Sequence, residues 1–301
     1  MTYDAVLTYH TNTETCGVAK WNAALARHLQ VPCRPLDEWV DCENPLVSIK
    51  PQEMSEDVLM DIWRHWNRPL RYGLFLHGTP TSLLHHIWHK SHTTYAANRR
   101  IKMEMRDMRG IDIVGELWCP GTVGSWQRIR KPDGHQVFGF GMAHKAKLHD
   151  YHQLLGPLLT AQPYRFIMST AFHENTPWEI DMQAVKDELH AVYGHQGVFA
   201  GFLSDAFTAR TLEESDACAA FFADGVKTNN TTVLAAMDLG CPVITNLSQW
   251  SPVGFEHGLT CLDIEQVDRL ADYDLEQIGR HGQQLVRDLY SWERLIERLS
   301  H

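Results

Sequence analysis

Short apolar runs that alternate with segments of helical spacing are the feature that most restricts how this chain can fold. Apolar runs of strand length occur at residues 5–9, 45–49, 71–76, 136–140, 164–169, 198–202, 219–222 and 242–245. Segments with helical spacing occur at residues 18–29, 149–159, 180–193, 212–217 and 231–239. Strands and helices in alternation form parallel sheets covered by helices, so the sequence predicts an α/β fold.

The length of 301 residues suits two domains, because single hydrophobic cores rarely grow beyond about 250–300 residues. A turn-forming run, Lys131-Pro132-Asp133-Gly134, interrupts the alternation and marks the best boundary. We predict a first domain over residues 1–133, a second over residues 134–285, and a closing helical segment over residues 286–301.

A polar, histidine-rich stretch at residues 82–109 is predicted to be helical, with short strands after it at residues 111–114 and 117–119. The spacing of four histidines in it would place two imidazoles on one helix face, as in a zinc site: His85, His86, His89 and His92. No His-Glu-x-x-His motif is present, and no carboxylate accompanies these histidines. We therefore predict no metal ion.

The formal net charge of −10 disfavours non-specific binding to nucleic acid, which depends on cations that neutralise phosphates. Residues 99–131 are a local exception, rich in Arg and Lys. The seven cysteines contain no Cys-x-x-Cys, which argues against a disulfide framework or zinc ribbon and predicts free thiols. No apolar run reaches the roughly 18–20 residues of a membrane span, and no leader opens the chain, so we expect a cytoplasmic protein.

Loops that follow predicted strands are the candidate sites, because ligands of doubly wound sheets bind beyond the carboxyl ends of the strands. The loop at residues 11–17 is polar and ends in Gly17, where a helix N-terminus favours anionic or hydroxyl ligands. Two further candidates follow strands in the first half, His77 and Glu116, which could exchange a proton with a substrate.

The loop at residues 222–232 combines a cation with a helix start. Lys227 supplies the charge, and Asn230 is placed to cap the next helix. The amides of Thr231 and Thr232 would then point from the positive end of the helix dipole toward a ligand. This arrangement suits a diphosphate, although a capped helix with a surface lysine has the same sequence.

A third loop, after the strand at residues 136–140, carries Lys145 and Lys147, which could supply cations to the same phosphates. The motifs of other nucleotide-binding and hydrolytic classes are missing: the sequence contains no G-x-S-x-G, no P-loop and no G-x-G-x-x-G. Common hydrolase, P-loop and nicotinamide-dependent activities are therefore disfavoured.

Three segments resemble the retaining, GT-B-fold glycosyltransferases of the large family that includes sucrose, glycogen and mannosyl transferases. Residues 16–26 look like the family's glycine loop and first helix. Residues 235–245, AAMDLGCPVIT, are similar to its E-A-M-A-x-G-x-P-V-V-x-T, and residues 290–296, YSWERLI, to its closing F-S-W-E-x-x-A. The resemblance implies two Rossmann-like domains whose parallel sheets face each other across a cleft, with the last helix crossing back onto the first domain.

The resemblance also implies an activity. The protein would move a sugar from a nucleotide-diphosphate sugar to an acceptor hydroxyl, with retention, and without a metal or other cofactor. The first domain would bind the acceptor, which is a glycan, a small molecule or a modified nucleic acid, and the second would bind the donor. The closing Ser-Trp-Glu argues against a sugar-nucleotide epimerase of the same fold.

Carried over position by position, the resemblance assigns roles to the candidate residues. Lys145 or Lys147 would bind the donor diphosphate, and His77 would face the sugar. Phe202 and Leu203 would line the nucleotide base. Asn229, Asn230, Thr231 and Thr232 would lie where the family's loop meets the β-phosphate, and Lys227 and Gly17 are further candidates for binding the donor. The candidate catalytic residues are His77, Glu116 and Lys147.

One departure from the family concerns two glutamates eight positions apart, which face the donor sugar and the ribose. Lys227 and Ala235 stand at those positions here. A protein of this fold that binds without catalysis is therefore one alternative to the glycosyltransferase. The basic residues between 99 and 130 suggest a second alternative, a transferase that acts on a modified base in DNA.

Overall fold

The computed structural model describes residues 3–14, 16–55, 57–58, 60, 71–78, 91–109, 114–124, 135–142, 146, 148–171 and 178–300. The chain divides into two compact units. The first comprises Met1–Pro120 together with Trp292–His301, and the second comprises Gly121–Ser291. The boundary predicted after residue 133 falls in a segment outside the described residues.

Each unit is built on a six-stranded sheet in which all pairs of neighbouring strands are parallel. The first sheet has the order β2-β1-β3-β4-β5-β6 and consists of β1 (Val6–Thr8), β2 (Cys33–Pro35), β3 (Leu46–Ile49), β4 (Gly73–Leu76), β5 (Thr93–Ala96) and β6 (Val114–Glu116). The second has the order β12-β11-β10-β7-β8-β9 and consists of β7 (His135–Met142), β8 (Tyr164–Ala171), β9 (Gly197–Gly201), β10 (Ala217–Ala219), β11 (Val243–Thr245) and β12 (Leu262–Asp263).

The α-helices with described bounds are α1 (Gly17–Leu29), α2 (Arg99–Arg109), α3 (Gly156–Thr160), α4 (Trp178–Tyr193), α5 (Asp205–Glu214), α6 (Thr231–Asp238), α7 (Leu275–Leu289) and α8 (Trp292–Ser300). Short 3₁₀ segments occur at Leu36–Asp41, Pro51–Glu53, Gly194–Gln196, Ile264–Gln266 and Leu270–Asp272, and a π-helix at Asp150–Leu155. No helix among the described residues is long and apolar enough to cross a membrane.

The core of the first unit forms around its central strands. Strands β3 and β4 are buried at every position, the pattern of a parallel sheet covered on both faces. Helix α1 contributes Trp21 and Leu25 to this core, and the C-terminal helix α8 contributes Leu295 and Leu299. The last helix therefore completes the hydrophobic core of the first unit, as the family resemblance implied.

The second unit has its own core, built from the inner strands of its sheet and from the helices beside them. Phe166 of β8 and Ile244 of β11 belong to it, together with Leu189 of α4 and Ile278 of α7. Two sheets of parallel strands, each with its own helices and core, confirm the predicted two-domain α/β fold.

The helix predicted over residues 82–109 is wrong at its centre. Thr93–Ala96 form strand β5, and α2 begins only at Arg99. Strand β5 lies between β4 and β6 and pairs with both, so two rows of backbone hydrogen bonds outweigh the local helical pattern. The rest of that prediction, residues 82–90, lies outside the described residues.

Three other predictions also needed correction. Strand β6 runs through Gly115 and Glu116, where the sequence suggested a break between two strands. Helix α5 begins seven residues before the predicted helix at residue 212, and β10 ends at Ala219, where the predicted strand began. Strand β10 pairs with β7 and β11 on its two sides, which fixes its register. The edge strands β2 and β12 were missed, because runs of two or three residues carry little pattern.

Candidate functional site

The loop that follows β10, residues 220–230 (the β10 loop), is held by the end of the neighbouring strand β11. The amide of Asn246 donates to the carbonyl of Phe222 at 2.7 Å, and its oxygen accepts the Phe222 N–H at 3.1 Å. Val226 N–H donates to the Asn246 carbonyl at 3.0 Å, and Ser248 Oγ donates to the Asp224 carbonyl at 2.9 Å. These four bonds fix the loop before any ligand binds.

The start of α6 differs from the sequence prediction in the role of Asn230. Its side-chain oxygen accepts the backbone N–H of Lys227 at 2.6 Å and does not cap the helix. Within the described part of the chain, no side chain caps α6. The first amides of the helix, at Thr231 and Thr232, therefore lack a side-chain acceptor at the positive end of the helix dipole.

Asn229 carries a buried polar atom next to this helix start. Its amide oxygen is buried and has no hydrogen-bond partner among the described residues. A buried acceptor without a partner costs about 1–3 kcal/mol, so a ligand hydroxyl that donates to it would remove that cost. Asn229 is the residue of the β10 loop most suited to bind a sugar hydroxyl.

Lys227 folds back onto the β10 loop itself. Its Nζ lies 3.5 Å from a carboxylate oxygen of Asp224 and 3.5 Å from the Gly225 carbonyl. Gly225 has a positive φ of 81°, and Ser248 packs where a side chain at this position would lie. The cation at the first of the two glutamate positions is therefore paired with a carboxylate of its own loop.

Ala235, at the second glutamate position, is fully buried in α6. The backbone of Gly121 packs directly against it, and a Cβ at Gly121 would lie 2.5 Å from the Ala235 Cα. A glutamate at position 235 would have no space beside this segment.

Phe202 and Leu203 follow β9 and lie far from the β10 loop along the same sheet edge. The side chain of Phe202 is 50% exposed. Strand β9 is separated from β10 by three strand spacings, which is about 14 Å at 4.8 Å per spacing. These two residues and the β10 loop would therefore bind opposite ends of an extended ligand. Lys145 and Lys147, which follow β7 in the sequence, lie outside the described residues.

In the first unit, a buried chain of hydrogen bonds holds His77. Ser48 Oγ donates to the Asn22 side-chain oxygen at 2.6 Å, so the contact of 2.9 Å between Ser48 Oγ and His77 Nε2 must be donated by the imidazole. The other ring nitrogen, Nδ1, then accepts from the Cys119 thiol at 3.7 Å. The Asn22 amide continues the chain to Thr8 Oγ1 at 2.7 Å.

Burial lowers the pKa of His77 to about 3, with a further contribution from the Lys50 charge. The ring is therefore neutral near pH 7, with both nitrogens occupied, and it orients its neighbours. Its assignment as the residue that faces the sugar stays a prediction.

Gly17 and Glu116 both lie at the carboxyl edge of the first sheet. Gly17 is the first residue of α1, and open space lies where a side chain would be. Glu116 ends β6, where desolvation raises its pKa although the Lys102 and Arg99 charges lower it. A carboxyl group with a raised pKa suits proton transfer, and its catalytic role stays a prediction.

Sequence reasoning missed several residues that shape these loops. Asn246 and Ser248 follow β11, and the rule that selects strand ends could have found them. His10, Lys50 and Glu53 also cluster at the carboxyl edge of the first sheet, where His10 Nε2 lies 3.0 Å from a Glu53 carboxylate oxygen. Hydrogen bonds to His10 and Lys50 outweigh the desolvation of Glu53 and lower its pKa to about 2. No signal in the sequence links these three residues.

Comparison with solved structures identifies the fold. A structure of Anabaena HepE with UDP and glucose superposes with a TM-score of 0.69 at 10% identity, covering 99% of this chain and 98% of that one. An α-glucosyltransferase (AGT) in complex with UDP gives 0.67 at 10% identity and 98% of both chains. Sucrose-phosphate synthase from Thermosynechococcus elongatus gives 0.66 at 10% identity, covering 98% and 97%. No protein-family model and no curated protein matches the sequence. The chain has the GT-B fold.

Proposed function

We propose that this protein is a metal-independent glycosyltransferase that moves a sugar from a uridine diphosphate sugar to an acceptor hydroxyl, with retention at the anomeric carbon. The observation that carries the proposal is the β10 loop. It combines the uncapped start of α6 with the unpartnered oxygen of Asn229, and it is fixed in place by Asn246.

The diphosphate leaving group is the chemical problem that such an enzyme must solve. Negative charge grows on the β-phosphate as the bond to the sugar breaks, and fixed dipoles or cations lower the barrier most when they are already in place. The amides of Thr231 and Thr232 supply the positive end of the helix dipole, and we assign the cations to Lys145 and Lys147, which follow β7 in the sequence. No metal ion is needed for this neutralisation.

The positions of Asn229 and Phe202 suggest the contacts to the sugar and to the base. The Asn229 oxygen accepts a hydroxyl proton from the donor and orients it, while Phe202 offers an exposed aromatic face to the uracil. The acceptor hydroxyl attacks the anomeric carbon on the face that the leaving group occupied, the bond from that carbon to the β-phosphate oxygen breaks, and the hydroxyl proton passes to the departing phosphate. The fold neighbours support uridine as the base, because HepE and AGT are described with UDP.

The acceptor would bind the first unit. Its carboxyl edge carries Gly17 and Glu116, with Arg99 and Lys102 beside Glu116. The acceptor would be a glycan, a small molecule or a modified base in nucleic acid. Only nucleic acid, a polyanion, should bind with an affinity that falls steeply as the salt concentration rises. The seven free cysteines support a reducing, cytoplasmic location.

A panel of nucleotides and nucleotide sugars, measured by thermal shift, tests the proposal first, since a ligand that binds the folded state raises its melting temperature. We expect UDP and UDP-sugars to raise it more than other nucleotides do. Incubation with the stabilising sugar nucleotide should then release UDP when an acceptor is added. Binding without any turnover would instead favour the non-catalytic protein suggested by Lys227 and Ala235.

The lysine assignment has a separate test in the double substitution Lys145→Ala and Lys147→Ala. Each charge-assisted hydrogen bond contributes about 1.5–3 kcal/mol, so UDP affinity should fall by at least tenfold while uridine affinity stays the same. Lys186→Ala, at an exposed position of α4, is the control and should leave both affinities unchanged. An equal loss for uridine and UDP would contradict a role on the phosphates.

A further inference from the structure

Three residues with metal-binding side chains meet at the carboxyl edge of the first sheet, in a group that we call the His10 cluster: His10, Cys16 and Glu53. His10 and Cys16 belong to one loop, and Glu53 comes from a second segment. His10 follows β1, Cys16 immediately precedes α1, and Glu53 ends a 3₁₀ turn after β3. Strands β1 and β3 are parallel neighbours, with Thr8 opposite Ser48, so the chain after each strand emerges at the same place.

The distances within the His10 cluster suit one ion. His10 Nε2 lies 3.0 Å from a Glu53 oxygen, and one ligand atom from each of the three residues lies within 4.8 Å of the other two. A tetrahedral zinc ion with bonds of 2.0–2.3 Å separates its ligand atoms by about 3.3–3.6 Å. Displacements of about 1 Å or less would bring the three atoms to coordination distance.

The surroundings hold the ligands and limit access of water. His10 and Cys16 are only 5% and 4% exposed. The Lys50 ammonium binds one oxygen of Glu53, while the other oxygen faces His10. The His10 carbonyl accepts a hydrogen bond from Thr8 Oγ1 at 3.0 Å. Such outer contacts are what orient the ligands of metal centres.

We propose that the His10 cluster is a site for a thiophilic divalent cation, of which Zn²⁺ is the best fit. A thiolate, an imidazole and a carboxylate form a donor set that selects zinc over magnesium, calcium or manganese. Three protein ligands leave a fourth tetrahedral position for water or another ligand. If the His10 imidazole is neutral, the single negative charges of the Cys16 thiolate and the Glu53 carboxylate together balance the double positive charge of the ion.

The proposed neutralisation of the diphosphate does not use this ion. The three ligands belong to the first unit, whereas Asn229, Thr231 and Thr232 belong to the second. The proposed site departs from the expectation of no metal ion, which considered only residues close together in sequence.

Metal binding to the full chain, after removal of metals with a chelator, tests the proposal. In competition with a chromophoric chelator, we expect one tightly bound Zn²⁺ per chain that excess Mg²⁺ does not displace. Cobalt(II) should produce the near-ultraviolet band of a thiolate ligand. Cys16→Ser should abolish this band, and His10→Gln should weaken Zn²⁺ binding by more than the roughly 10–100-fold that loss of an outer contact costs.

Cys33→Ser is the matched control, because Cys33 is exposed and outside the His10 cluster. It should retain both the band and the affinity. Wild-type protein provides a readout that needs no variant to fold: Zn²⁺ should raise its melting temperature, and Mg²⁺ should not. A cobalt band that persists in Cys16→Ser, or Zn²⁺ that leaves the wild-type melting temperature unchanged, would overturn the proposal. Either result would mean that the three residues form only a buried ion pair beside a thiol.

Discussion

His77 Nε2 lies 2.9 Å from Ser48 Oγ and donates to it, because the single Ser48 proton is committed to Asn22. This bond fixes the tautomer of a buried histidine whose pKa burial lowers to about 3. The unfolded chain, with an ordinary histidine pKa near 6.5, binds a proton at a pH where the folded state does not.

His77 should therefore make the protein sensitive to mild acid. A group whose folded pKa is depressed contributes stability that is present above the unfolded pKa and is lost as pH falls toward the folded pKa. The loss is about 1.4 kcal/mol for each pH unit below about 6.5, or roughly 2 kcal/mol by pH 5. We expect urea unfolding of the wild type to show this loss and His77→Gln to show much less of it.

Other groups also titrate in this range, so the difference between the two proteins is the quantity to measure. Parallel pH profiles for the wild type and His77→Gln would show that His77 does not cause the acid sensitivity.

Gly121 should tolerate no side chain, because its backbone packs on Ala235. The added Cβ of Gly121→Ala would lie 2.5 Å from the Ala235 Cα, and overpacking of this kind costs about 1–3 kcal/mol. Gly124→Ala, three residues away, adds a Cβ that meets no atom within 4 Å. We expect a lower melting temperature for the first variant and little change for the second. Equal melting temperatures for both variants would contradict the close packing at Ala235.

Asn229→Ala should weaken the binding of a UDP-sugar without lowering the stability of the free protein. Removal of a buried oxygen without a partner relieves a desolvation cost, so the free protein should be as stable as the wild type or more stable. The same substitution should reduce the thermal shift that a UDP-sugar produces, and should reduce that of UDP less. Calorimetric titration with both ligands measures the difference.

Asn246→Ala provides the contrast to Asn229→Ala. Asn246 holds the β10 loop through two side-chain hydrogen bonds to Phe222. Its loss should lower both the melting temperature and ligand affinity. If Asn229→Ala also lowered the stability of the free protein, its oxygen would have a partner in solution and would not be reserved for a ligand.

Leu295→Ala should weaken the first unit, although the residue lies near the end of the chain. Leu295 is completely buried in that unit's core, and large-to-small substitutions of this type cost about 2–5 kcal/mol. Leu289→Ala is the matched control, because Leu289 is 44% exposed at the end of α7. It should change the unfolding free energy by no more than about 0.5 kcal/mol. Hydrogen exchange should show the loss of protection in β1, β3 and β4 rather than in the second sheet.

Much of the fold was predictable because its strands are locally marked. Strands such as β3 and β4 are short, mostly apolar runs that are buried at every position, as a parallel sheet covered on both faces requires. The predictions failed where pairing between strands overrode the local pattern, as at β5, whose sequence Thr-Thr-Tyr-Ala lies within a polar stretch. Strand pairing connects residues distant in the chain, so a local pattern cannot report it.

The candidate site was also predictable only in part from the sequence. The rule that ligands bind at strand ends selected the β10 loop, and the sequence alone supplied Asn229, Asn230, Thr231 and Thr232. The roles of these residues depended on contacts. The Asn230 side-chain oxygen accepts the Lys227 N–H and not an N–H of the helix. The sequence is compatible with either hydrogen bond.

By itself, the sequence determined that the chain forms two parallel α/β units and that polar loops lie at the carboxyl ends of their strands. Both properties follow from the order of apolar and polar residues along the chain. Only the tertiary structure decided that Gly121 packs on Ala235, that the tautomer of His77 is fixed through Ser48, and that His10, Cys16 and Glu53 meet. Each of these contacts includes at least two segments that are far apart in the chain, and the distance between those segments is set by the packing of whole strands and helices.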